Sequence, residues 1–399
     1  MTFASAPWDA RLVVIILRGG MDGLSVVQPW GDPNFAALRL GQQSPILGSP
    51  GGPLDLDGFF ALHPALEPLL PLWSAGELGF VQAVSTPYRD KRSHFDGQDM
   101  LEAGSGNMQS PIRDGWLNRM LQSVQGIEPD TAYTVGRSDM LLTRGEAPVL
   151  NWAPGMSLDL SPQTQKLLEL LMHDDPVFRV PLDDAIRLTT EDMLAMAEAN
   201  NKNVGYKSPT DLVEMDEGAA MQAAIRKATQ ASRRGQGHQK LAEFTAEKLR
   251  GESRVAAFSL NGWDTHSAQD RTLVPALTQL SDVIATLREE LGSVWERTAV
   301  LAMTEFGRTV QLNGSLGTDH GTAGLLMFAG GALRGGHIHG GWPGLAEADL
   351  YQRRDLMPLS DVRAHAAWVM HGLFGINRQI LEQTVFPGLH MGQRSNLVI

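Results

Sequence analysis

The chain of 399 residues contains no cysteine. Disulfides, zinc–thiolate sites and thiol catalysis are therefore excluded, although the compartment stays open. Basic clusters are also lacking: none runs beyond an Arg-Arg or Lys-Arg pair, and the formal net charge is -12. A nucleic-acid partner or an anionic membrane surface is not expected on that balance. No apolar run approaches the ~18 residues that cross a bilayer. The opening segment MTFASAPWDARLVVIIL lacks a basic n-region and its apolar stretch has only the length of a strand, so no signal peptide is expected. A soluble, cytoplasmic protein is the default expectation. With 43 % hydrophobic residues, the chain can bury a large core, as one big α/β domain or as two.

What is present is a series of apolar runs of strand length without polar alternation, as in LVVIIL, VAAFSL and TAVLAM. Such runs suit strands buried on both faces, the habit of parallel sheets. The pattern predicts strands over 12–17, 79–85, 254–260, 298–304 and 325–329. Helices are predicted over 64–78, 114–124 (capped by Asp114), 275–291 and 361–373, and after Ser93, a preferred cap residue. Residues 30–60, rich in Gly, Pro and Asp, read as a loop excursion. The segment 138–250 is charged and largely helical and reads as an insertion or cap on a core made of 1–137 and 251–399. The Gly-rich stretch 330–344 lacks the GK[ST] ending of a nucleotide loop and reads as a hairpin or loop.

Several runs are followed at once by acidic residues or histidines. Asp22 lies in GGMDG, Asp264 and His266 in GWDTH, Glu305 in TEFGR, and Asp319 and His320 in GTDHGTAG. Ligands bind beyond the carboxyl ends of parallel strands, so these residues, scattered over about 300 positions, can converge on one sheet edge. Asp264 and His266 are two apart and share a side if the segment is extended, a half-site for Zn²⁺ or Mn²⁺. Each motif also has a plainer reading. Asp-Gly is a common turn dipeptide, Glu305 can pair with Arg308, and Ser93 can simply cap a helix. Ser93 and His94 stand at a predicted helix N-terminus, where anionic groups are favoured. Arg89, Lys91 and Arg92 form the densest positive cluster of the first third. His337 and His339 make a further His-x-His pair.

Taken in order, LRGGMDGLSVVQP, RSHFDGQDMLEAG, GWDTH, TEFGRT, GTDHGTAG and YQRRDLMPLSDVRAHAAWVMHGLFG resemble the DUF1501 family, grouped with the alkaline phosphatase-like superfamily of phosphatases, sulfatases and phosphoglycerate mutases. The resemblance covers about residues 11–375. It implies a three-layer α/β/α sandwich with a mostly parallel central sheet and a helical insertion. It also implies one or two divalent ions (Zn, Mn, Mg or Ca) at the strand ends and a hydroxyl nucleophile near the start of a helix. On it, Asp22, Asp264, His266, Glu305, Asp319 and His320 are the expected metal residues, Ser93 and His94 the catalytic pair, and Arg89, Arg92 and Arg308 the residues that hold a small anionic substrate. Ser85, in Ser85-Thr86-Pro87-Tyr88-Arg89, loosely fits the sulfatase pattern and is a second nucleophile candidate. Where many superfamily members carry Asp-His-Gly directly after a strand, this chain has Glu305-Phe306-Gly307, and Asp319-His320-Gly321 follows 14 residues later. Many relatives carry a twin-arginine export signal; none is expected from the opening residues of this sequence.

Three functions follow as expectations: a metal-dependent hydrolase of phosphate or sulfate esters, a non-catalytic binding or scaffold member of the same fold, and a phosphomutase or phosphoryl transferase with 138–250 as its cap.

Overall fold

Alternate residues of the first strand, β1 (Arg11–Arg18), enter two separate cores. Leu12, Val14 and Ile16 belong to one apolar cluster, and Val13, Ile15 and Leu17 to another. A strand with no polar face has to be covered on both sides, and the computed structural model places helices on both. It describes residues 6–39, 47–89, 91–137, 140–153, 237–393 and 396–399. The three-layer α/β/α sandwich expected from the sequence is the architecture found.

The remaining strands are β2 (Val27–Gln28), β3 (Leu54–Asp55), β4 (Ala61–Leu62), β5 (Leu78–Ser85), β6 (Ala132–Val135), β7 (Leu150–Trp152), β8 (Val255–Asn261), β9 (Thr298–Met303), β10 (Gly324–Ala329), β11 (Ile338–His339) and β12 (Ser360–Asp361). The main sheet runs β11-β5-β10-β9-β1-β8-β6-β7, with β12 also paired to β5. β1 pairs in parallel with β8 and β9, and β6 in parallel with β7 and β8. Among the described strands of this sheet, only β10 runs against its neighbours, β9 and β5. Its start therefore lies on the edge where the other long strands end.

Among the described residues, five helices cover the sheet: α1 (His94–Ala103), α2 (Trp116–Gln122), α3 (Gly237–Arg250), α4 (Gln269–Leu291) and α5 (Val362–Phe374). On α4, Leu273, Ala276, Leu277, Leu280, Val283, Ile284, Leu287 and Leu291 recur at helical spacing and enter the core shared with α3. α2 and α5 close the opposite face. α5 is capped by the Asp361 carboxylate, which accepts from the Arg363 N–H, and stops at Gly375, whose φ of 67° is left-handed.

Some expectations are refined. Residues 64–78 do not form one regular helix: Pro64–Leu69 is 3₁₀ and Leu70–Ser74 is α-helical, because Pro68 and Pro71 remove N–H donors inside the run. The 30–60 excursion contributes β3, which joins β2 and β4 in a small antiparallel sheet. In the Gly-rich stretch, Ile338–His339 pairs in parallel with β5 instead of forming a hairpin. Asp114 accepts from Arg119, while Gly115 takes the cap position of α2. Of the segment 138–250, β7 extends the main sheet and α3 packs on α4. Residues 154–236 lie outside the described residues, and with them most of the expected cap. No helix among the described residues is long and apolar enough to cross a membrane.

Candidate metal centre

β1, β5, β8 and β9 end on one edge and β10 starts there, so the five chemistry-bearing loops meet at that edge. Ser93 caps α1, its Oγ facing the Asp96 N–H at 3.4 Å. His94 is the first residue of that helix. Asp264 and His266 follow β8, Glu305 follows β9, and Asp319 and His320 precede β10.

Four of these side chains converge. The Asp264 carboxylate lies 2.9 Å from His266 Nε2 and 3.2 Å from His320 Nε2 through Oδ1, and 3.3 Å from His94 Nε2 through Oδ2. His266 Nε2 and His320 Nε2 are 3.0 Å apart. Each imidazole turns its other nitrogen to an acceptor. His94 Nδ1 is 2.9 Å from Glu305 Oε1, His320 Nδ1 is 2.7 Å from the Arg92 carbonyl, and His266 Nδ1 is 3.4 Å from Asp319 Oδ1. Acceptors of that kind fix the proton on Nδ1, which leaves the Nε2 lone pairs pointing inward. Two lone pairs 3.0 Å apart repel unless a proton or a metal cation sits between them. His94 Nε2, in addition, is buried with no hydrogen-bond partner, which is costly unless something ligates it. The donor set fits a cation on both counts.

The groups around the cluster set its charges. The hydrogen bond from His94 to Glu305 holds the imidazole above its ordinary pKa, against the effect of burial. Burial presses the Glu305 carboxyl upward, but hydrogen bonds from His94, Gln98 and Gly19 N–H outweigh it and keep the group below the usual range. Asp264 is likewise penalised by burial and held down by the Arg308 guanidinium. Burial lowers His320, and the Asn313 amide is the largest influence keeping Asp319 low. Asp264 and His266 remain open to solvent, at 44 % and 45 % exposure. The Phe306 ring lies against the rings of His94 and His320, with centroids 5.1 and 4.9 Å away.

Arg308 is the post on which these loops hang. It is 1 % exposed. Its guanidinium donates to the carbonyls of Gly19, Gly20, Trp263 and Thr318 and to Asp264 Oδ1. Buried and bonded to four carbonyls and a carboxylate, the guanidinium is turned to the loops and not to the surface where the anion-holding residue was expected. The adjoining Gly307 permits the approach of the β10 loop, since a Cβ there would lie 1.8 Å from the Ala323 carbonyl oxygen. Gly19 does the same beside GWDTH: its φ is 126° and a Cβ would come within 2.5 Å of the Asp264 nitrogen.

Other expected residues are placed apart from the four. Asp22 is buried in an ion pair with Arg39 and accepts from Ser25 and Gln269. Glu305 faces the cluster only through His94; its oxygens also accept from Gly19 N–H, Gln98 and Thr304. Asp319 stands behind His266. Arg89 donates to the carbonyls of Thr86 and Tyr88 and to Ser85 Oγ, at the end of β5. Arg92 faces Asp355 at 3.4 Å. His337 and His339 lie at the β11 edge of the sheet. Four contributors had gone unnoticed in the sequence: Arg39, Gln98, Gln269 and Phe306. Only Gln98 carried a signal, standing one helical turn after His94. Gln269 ties three loops together, donating to Asp22 and Ser25 and accepting from Thr265 and Thr318.

Along α1 opens a cavity of about 620 Å³ whose lining includes Arg18, Phe95, Gln98, Met108, Arg113 and Arg144 and none of the four cluster side chains. Phe95 and Met108 expose 85 % and 40 % of their surface there.

Fold and donor set together define an α/β/α protein with an imidazole–carboxylate cluster at its strand ends. The chain belongs to the family described as "Protein of unknown function (DUF1501)", which it matches over residues 75–384. No curated protein matches it. Among solved structures it is similar to the lipoteichoic acid synthase LtaP from Listeria monocytogenes, at 9% identity over 99% of this chain and 78% of that one, with a TM-score of 0.38. It is also similar to a protein in the alkaline phosphatase superfamily from Vibrio parahaemolyticus, at 11% identity over 97% and 72%, TM-score 0.37. A third similar structure is an alkaline phosphatase from the Antarctic bacterium TAB5, at 10% identity over 82% and 92%, TM-score 0.34.

Proposed function

We propose that the chain is a metal-dependent hydrolase of phosphate or sulfate esters. The observation that carries this reading is the convergence of three imidazole Nε2 atoms on the Asp264 carboxylate, next to Ser93 at the start of a ten-residue helix. Cation and helix N-terminus then act on the same anion. The bound ion would supply charge that lowers the pKa of a nearby hydroxyl and stabilises the transferred group. Ser93 Oγ attacks phosphorus or sulfur, the ester oxygen leaves with a proton, and water then releases the anion from the serine. Glu305 and Asp319 orient His94 and His266, and Arg308 holds the loops.

The test is metal content and turnover measured together, on aryl phosphates and aryl sulfates. His94→Ala and Asp264→Ala are expected to lose both the ion and turnover. Ser93→Ala is expected to keep the ion and lose turnover by 10³-fold or more, about 4 kcal/mol; full activity in that variant removes the serine from the reaction.

The cavity beside α1 supports a place for the organic part of the ester, with Phe95 on its rim. Because Phe95 is exposed, Phe95→Ala leaves stability and metal content unchanged. It raises KM for an aryl ester about tenfold, the equivalent of about 1.4 kcal/mol of lost contact. An unchanged KM places the leaving group elsewhere.

A second reading is a binding member of the fold that keeps the ion without turnover. It is favoured by Arg89 and Arg308, both engaged within the protein and not facing an anion. Turnover lost in Ser93→Ala separates the two.

A further inference from the structure

Resting on the metal-centre reading above, we infer that the centre takes one borderline transition ion of the Zn²⁺ class, held by His94, His266, His320 and Asp264, and that the Arg39 guanidinium stands at Asp22 in place of a second cation. The resemblance of the motifs implies up to two ions, with Asp22 among their ligands. Asp22 is 1 % exposed and both of its oxygens are engaged. Oδ2 accepts from Arg39 Nη1 at 2.6 Å, from Ser25 at 2.7 Å and from Gln269, and Oδ1 accepts from Arg39 Nη2 at 3.2 Å. Arg39 is itself buried and also donates to the Thr309 carbonyl. A divalent ion at Asp22 would have to sit against a fixed guanidinium or expel it, and like charges at that range repel strongly in a dry site. Asp22 reaches the loops of the cluster through other side chains: Gln269, which accepts from Thr265 and Thr318, and Arg39, which donates to the Thr309 carbonyl.

Glu305, the other carboxylate just past a strand, is no more available. It is fully buried and accepts from Gly19 N–H, Gln98, His94 and Thr304. The remaining donors suit one ion. Asp264 lies 2.9 to 3.3 Å from each of the three Nε2 atoms, and those of His266 and His320 are 3.0 Å apart. Tetrahedral bonds of about 2.0–2.1 Å put ligand atoms about 3.3–3.4 Å apart, a small relaxation from that spacing. Two ions about 3.5–4 Å apart would need donors spread over a longer line. Three imidazoles also set the metal class. Mg²⁺ and Ca²⁺ take oxygen ligands, six or more of them, whereas imidazole suits zinc and its transition-metal neighbours.

The experiment is metal stoichiometry on the full chain, stripped with chelator, reloaded separately with Zn²⁺, Mg²⁺ or Ca²⁺, desalted and analysed by mass spectrometry for metal per chain. One equivalent of zinc is expected, with no magnesium or calcium retained. His320→Ala is expected to lose that equivalent. The double variant Asp22→Asn with Arg39→Gln, which keeps a neutral hydrogen-bonding pair in place, is expected to hold one equivalent as the parent does. Two equivalents in the parent, falling to one in the double variant, overturn the inference and leave the metal centre standing. Retention of magnesium or calcium in place of zinc overturns the assigned class. No retained ion of any kind overturns the centre itself, and the function proposed on it.

Discussion

Arg308→Met is expected to destabilise the protein by more than about 3 kcal/mol, since it leaves three buried carbonyls without a donor at about 1 kcal/mol or more each. Those carbonyls belong to Gly19, Gly20 and Thr318; the Trp263 carbonyl keeps the Thr265 N–H, and the same change strips Asp264 of its guanidinium partner. Three loops lose their common post, so the ion should be lost along with the stability. Arg308→Lys should fare little better, because one ammonium cannot reproduce a planar fork bonded on several sides. Urea unfolding and metal content are the measurements. A methionine variant within about 1 kcal/mol of the parent would show that water replaces the guanidinium at little cost.

Acid destabilisation is the second large effect, and it arises away from the centre. His63 accepts from the Ala65 N–H through Nδ1 and begins the 3₁₀ turn. Burial lowers its pKa from 6.5 to about 4. His365, on α5, is lowered to about 4 by burial, with a smaller contribution from His339; its Nε2 meets Ser360 Oγ at 2.9 Å. Between those two pH values the unfolded chain binds a proton at each histidine and the folded chain does not. Stability from these two groups is therefore complete above pH 6.5, falls as the pH drops toward 4, and levels off below. Each contributes roughly 3 kcal/mol across that window, and about 2 kcal/mol between pH 7 and pH 5. His63→Gln should flatten the dependence by that amount in denaturant titrations at the two pH values. If the variant and the parent lose stability in parallel from pH 7 to pH 5, His63 is protonated in the folded state.

The strands were legible because they are buried on both faces, and burial of that kind writes itself as an unbroken apolar run. LVVIIL and TAVLAM need no partner to be recognised. The loops that follow them were legible for the same reason, and so Asp264, His266 and His320 stood out as a group. The direction of β10 was not legible. Its run looks like the others, yet it turns back against β9, and this reversal explains the displaced Asp-His-Gly. The chain leaves β9 after Met303, stays on the same edge through residues 304–323 and enters β10 there, so His320 comes to the edge from the N-terminal side of a strand. The 14-residue offset is a consequence of strand direction.

Roles within the group were beyond the sequence as well. His94, expected beside Ser93 in catalysis, points its Nε2 at Asp264, and Glu305, expected on metal, stands behind His94. Asp22 sits where an ion was expected and meets Arg39, a residue in a loop with no periodic signal. A carboxylate after a buried strand must be neutralised by something, but whether by an ion, a histidine or a guanidinium depends on what other parts of the chain bring near.

The sequence by itself determined the layering, the sheet edge that carries the chemistry and the exclusion of thiol chemistry, since each follows from residue type and local pattern. Only the tertiary structure decided which donors face one another. Separations of about 3 Å between residues far apart in the chain, as between His94 Nε2 and Asp264 Oδ2 at 3.3 Å, are set by strand order, by the reversal of β10 and by the close glycine contacts at Gly19 and Gly307. None of these is a property of any single segment.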